Sequence, residues 1–66
     1  MSEQAVFDAL KYHIEVDAYG TRRYYNAAKQ SHRTDGPAIE YASGIKWWFL
    51  HGIRYYESDY WNELKK

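Results

Sequence analysis

Two stretches of this chain are imperfect copies of one another, and that duplication constrains the fold more than any other feature. Ile14-Glu15-Val16-Asp17-Ala18-Tyr19-Gly20-Thr21-Arg22-Arg23-Tyr24-Tyr25 aligns with Ile39-Glu40-Tyr41-Ala42-Ser43-Gly44-Ile45-Lys46-Trp47-Trp48-Phe49. The offset is 24 residues from Gly20 to Gly44 but 25 from Ile14 to Ile39, which predicts one extra residue in the first turn. Each copy reads as an alternating run, a glycine turn and a second run of β-favouring residues, the pattern of a hairpin. A period in the twenties belongs to arrays built by repeating such a unit.

The hydrophobic period separates the remaining elements. Val6, Ala9 and Leu10 stand at helical spacing behind Ser2, predicting a short helix within residues 1–10. From Lys11 the period becomes two: Tyr12, Ile14, Val16 and Ala18 alternate with Lys11, His13, Glu15 and Asp17, a strand with one charged face. Tyr19-Gly20 is a turn, residues 21–25 a second strand, and residues 26–31 are polar without a clear period. Thr34-Asp35-Gly36-Pro37 is a strong turn signal, because Asp bonds local backbone, Gly supplies positive φ and Pro cannot continue a ladder. Strands are expected at residues 38–42, 45–50 and 53–56, the last two joined by a tight His51-Gly52 turn. Tyr60, Trp61 and Leu64 share a stripe behind a Ser58 cap, predicting an amphipathic helix over residues 58–66 with Lys65 and Lys66 at its end. The expected fold is mainly β with an α+β layout: a small antiparallel β-meander of four or five strands, a C-terminal helix and a short N-terminal one.

The block His32-Arg33-Thr34-Asp35-Gly36-Pro37-Ala38-Ile39-Glu40-Tyr41-Ala42-Ser43-Gly44-Ile45-Lys46-Trp47-Trp48-Phe49-Leu50-His51-Gly52-Ile53-Arg54 resembles the HRxDGPAxEYxxGxxxWWxxG repeat of small proteins common in bacteriophage genomes, related in architecture to MORN-type β-hairpin repeats. The resemblance implies an antiparallel meander, a cytoplasmic setting and a phage origin, without implying one biochemical activity. In the first copy Ala27-Ala28 stands where the second has His51-Gly52, so its second hairpin is expected to be opened or rebuilt.

Size and composition exclude several function classes. Sixty-six residues make one domain, with residues 11–56 as the two-copy repeat. A chain of this length buries only about 60% of the surface its unfolded form exposes, which leaves little room for an enclosed cofactor pocket. No cofactor is expected, and function belongs on the outside. Nine basic against nine acidic residues argues against broad electrostatic attraction to nucleic acid or anionic lipid. The absence of Cys removes disulfides, thiolate nucleophiles and zinc–thiolate sites, and fits a reducing compartment. No apolar run approaches the roughly 18 residues of a membrane span, and the N-terminus lacks signal-peptide order, so a cytoplasmic protein is expected. No Gly-rich phosphate loop, nucleophile elbow or zinc motif occurs. His32 and Asp35 could be taken for a catalytic dyad, but a turn-stabilising role suits them better, with Asp35 accepting backbone amides and His32 or Arg33 bonding across the hairpin. His13, His32 and His51 recur every 19 residues, a coincidence rather than a metal site. An enzyme is not expected.

The aromatic run directs attention to the sheet faces. Alternation places Ile45, Trp47 and Phe49 on one face and Lys46, Trp48 and Leu50 on the other, so both are apolar. The face around Trp48, Tyr24 and Leu50 is either covered from within, by the N-terminal segment or by self-association into a homodimer, or left for a partner. Arg22, Arg23, Tyr24, Trp48, Tyr55 and Tyr56 carry the residue types of binding hot spots and form the expected partner surface. The expected function is non-enzymatic binding, with inhibition, of a host protein such as a defence or regulatory machine. The alternative is nucleic-acid or nucleotide binding through the Arg/Tyr ladder.

Overall fold

A computed structural model describes residues 11–66. The helix expected within residues 1–10 lies outside them. Five strands, β1 (His13–Val16), β2 (Arg22–Tyr25), β3 (Ile39–Glu40), β4 (Lys46–Leu50) and β5 (Ile53–Tyr55), form one sheet in chain order, every neighbouring pair antiparallel. A single helix follows, α1 (Glu57–Leu64). It starts before the expected Ser58 cap: Tyr56 is the N-cap and makes no side-chain capping bond. Glu57 and Asp59 occupy its first turn, where negative charge meets the positive end of the helix dipole.

The two copies superpose in hydrogen bonding at a constant offset of 24, which corrects the extra residue inferred from Ile14 and Ile39. Asp17 N–H donates to the Thr21 carbonyl and Gly20 N–H to the Asp17 carbonyl; Tyr41 to Ile45 and Gly44 to Tyr41 repeat the pair. Val16 faces Arg22 as Glu40 faces Lys46. The apparent match of Ile14-Glu15 to Ile39-Glu40 is thus one residue out of register. The same turn occurs a third time. Asn26 N–H donates to Gln30 and Lys29 N–H to Asn26, with Lys29 at φ +63 where the other two turns have glycine. The Asn26 side-chain oxygen accepts from Ala28 and Gln30 amides, as that of Asp17 does from Tyr19 and Thr21. The first copy's second hairpin is therefore rebuilt around an Asx turn.

The principal irregularity lies between β2 and β4. Tyr24 C=O accepts from His32 N–H while Tyr24 N–H donates to Ala38, so one residue of β2 is paired by two residues six positions apart. Residues 33–37 are looped out between them. On the other side Arg33 N–H meets the Phe49 carbonyl and Ala38 N–H the Trp47 carbonyl, bracketing Trp48 in the same way. The excursion folds over one face of the sheet and, with α1, covers it.

Under that cover sit Tyr12, Tyr24, Ala38, Leu50 and Tyr60, each nearly or wholly buried. Their hydroxyls pin the excursion: Tyr12 Oη accepts from Thr34 N–H at 2.9 Å, and Tyr60 Oη donates to the Arg33 carbonyl while accepting from Gly36 N–H. Burial pushes the Tyr60 phenol above its ordinary pKa, so it stays a donor. Gly36 lacks the expected positive φ. It is glycine for space, since a Cβ there would lie 3.0 Å from the Arg33 guanidinium. Asp35 takes its bonds from the Arg33 and Tyr12 side chains. Val16, expected on the inner face, is 61% exposed because the covered area stops short of that end of the sheet.

Candidate functional site: the Trp47 face of the sheet

The register assigns each strand residue to a face, because directly opposed residues share one. Ile14, Tyr24, Glu40, Lys46, Trp48, Leu50 and Tyr55 belong to the covered face. Of the six residues expected to form a partner surface, Arg22, Tyr24, Trp48 and Tyr55 share this face and Arg23 does not. Tyr24 is 2% exposed, edge-on to Tyr12 and capped by Arg33. Trp48 packs 4.9 Å from the Tyr60 ring and 5.5 Å from Trp61, so α1 rather than a partner covers it. Tyr55 stands opposite Trp48, and Arg22 stands opposite Val16 and Glu40, exposed at the uncovered end. Tyr56 is exposed at the start of α1. Arg23 alone is on the opposite face, held by Asp17 at 3.1 Å. Amide donation from Thr21, with Tyr19 and Arg23 adding to it, holds the Asp17 carboxyl below its ordinary 3.8.

That opposite face is the candidate site. Among the described residues no element packs across it: α1 meets only β4 and β5, through Trp48 and its neighbours. Trp47 is its centre. Its ring lies within 15° of parallel to that of Phe49, 6.4 Å away along β4, and Tyr41 approaches edge-on at 6.3 Å. Arg54, opposite Phe49, lays its guanidinium carbon 4.0 Å from the Trp47 centroid. The stack holds Arg54 flat without consuming its donors, leaving a cation on an apolar platform. At the β1 and β2 end, His13, Glu15, Tyr25, Asn26 and Lys29 line an open groove of about 600 Å³.

Among the described residues no cluster of three metal-ligating side chains occurs, and no helix is long and apolar enough to cross a membrane. Alternation alone already grouped Trp47 with Phe49, and the signal missed in the sequence was which face the His32-to-Pro37 segment would cover. Comparisons of the chain with protein-family models, with curated proteins and with solved structures found no match.

Proposed function

We propose that the chain is a non-enzymatic binding module that docks the Trp47 face of its sheet on a partner protein, inhibiting that partner by occupying its surface. The observation that carries this reading is the Tyr41, Trp47, Phe49 and Arg54 cluster on a face that no described element covers. Trp, Tyr and Arg are the residues that dominate protein interfaces, because they bring large rigid area and a polar handle at small entropic cost. The repeat resemblance, with its phage setting, makes a host protein the expected partner. Nucleic-acid binding is the weaker reading: Arg23 on this face is engaged by Asp17, and Glu15 lines the adjoining groove.

The test is identification of a partner by affinity capture from bacterial lysate, followed by titration of the purified pair. Trp47→Ala and Phe49→Ala are expected to weaken binding by about 2 kcal/mol or more each while leaving circular dichroism unchanged. Undiminished affinity in both variants overturns the assignment. Affinity for an oligonucleotide that collapses between low and moderate salt would favour the alternative.

A further inference from the structure

We propose that His32 and His51 form an acid-sensitive latch that fastens the tip of the β4–β5 hairpin to the segment preceding the looped-out excursion. Three bonds join these parts: Arg33 N–H to Phe49 C=O at 3.3 Å, Gly52 N–H to Ser31 C=O at 2.8 Å, and His51 N–H to His32 Nδ1 at 2.9 Å. The first two are insensitive to pH. The third requires an unprotonated Nδ1, since a backbone amide can only donate. The two rings also pack against each other, centroids 4.3 Å apart and planes tilted by 35°. A proton on His32 both replaces the acceptor by a second donor and sets a cation against the neighbouring imidazole.

Among the described residues no carboxylate pairs with the His32 ring. His51 faces the His32 ring from the hairpin turn, the Tyr12 ring lies 6.4 Å away just before β1, and the Lys11 ammonium adds positive charge. On the excursion, the Asp35 carboxylate is engaged by Arg33 and the Tyr12 hydroxyl. Partial burial, then His51 and Lys11, lower the His32 pKa below 6.5. The latch is accordingly closed above that pH and opens as acid drives the proton on. His51 sits at φ +51 and Gly52 at φ +82, the conformation of a tight type I′ turn, so the hairpin tip holds its shape while its attachment changes.

Ring nitrogen shifts and amide exchange followed by NMR from about pH 8 to about pH 5 test the latch. Expected is a His32 ring unprotonated at Nδ1 at the alkaline end, and a His51 amide about tenfold less protected at the acid end after correction for intrinsic exchange. His32→Asn keeps an acceptor oxygen near the Nδ1 position without titrating, and should retain protection throughout. His51→Asn, which suits the same turn, should keep the acid response because His32 still titrates. A proton found on Nδ1 at the alkaline end, or equal acid loss in the wild type and His32→Asn, overturns the proposal. If His32→Asn fails to fold, the wild-type ring shifts alone decide it: protonation must coincide with loss of His51 protection.

Discussion

Arg33 lies over Tyr24, its guanidinium carbon 4.1 Å from the ring centroid. From there it reaches Asp35 at 3.0 Å and Glu40 at 2.8 Å, with only 12% of its side chain exposed. The stack is what closes the sheet over its most buried strand residue. Arg33→Met, which fills similar volume but removes the ion pairs to Asp35 and Glu40 and the stack on Tyr24, should cost roughly 3 kcal/mol in denaturant unfolding. A loss within experimental error would show that the excursion is held by the tyrosine hydroxyls alone.

Trp48 and Trp61 should differ although both lie between α1 and the sheet. Trp48→Ala opens a cavity against Tyr60 and is expected to cost about 3 kcal/mol, so folding and partner binding fail together. Trp61 is 39% exposed, and its replacement by Ala should cost about 1 kcal/mol. Thermal melts of the two variants rank them.

The third turn of the repeat carries a removable strain. Lys29 holds φ +63 without being glycine, so Lys29→Gly should raise stability by up to about 1 kcal/mol. Gly44→Ala should lose a similar amount for backbone reasons only, since a Cβ there meets nothing within 4 Å. Opposite shifts in melting temperature are the expected result.

Asp17 sets an acid limit. Its folded-state pKa lies below 3.8, so the stability it contributes is present above that pH and is lost as pH falls through the folded value. Asp17→Asn keeps an amide-accepting oxygen, as Asn26 does in its own turn, and should flatten the acid end of the stability curve while leaving neutral stability nearly unchanged. Stability followed from about pH 6 to about pH 2 checks this.

What the sequence disclosed was local. Period-two alternation placed the strands within a residue or two, and the glycine turns, the His51-Gly52 hairpin and the Tyr60 stripe all appear in the fold. Which face of the sheet would be covered was not legible, because it depends on a long-range event: the excursion and α1 both settle on the Trp48 side. Sequence identity also misled where hydrogen bonding decides, at Ile14 against Ile39. Gly36 could be read as a turn glycine from its neighbours, whereas its neighbour in space, the Arg33 guanidinium, explains it. His32 and His51, 19 residues apart, looked coincidental with His13 and yet two of the three meet.

The pairing of Tyr24 by both His32 and Ala38 has a kinetic corollary. Every strand in the meander closes on its immediate predecessor, and apart from the β2–β3 connection, which holds the excursion, the loops are short, so the sheet can assemble by zippering with small closure entropy. Among the described residues the hydrogen bond of longest span runs from the Tyr60 hydroxyl to the Arg33 carbonyl, 27 residues apart, and joins the helix to the excursion. Ordering of residues 33–37 over Tyr24 is thereby coupled to the arrival of α1. A ribosome-bound chain that has released β5 but not Tyr60 would carry a formed sheet whose Trp48 lacks the cover of Tyr60 and Trp61, a stage exposed to aggregation.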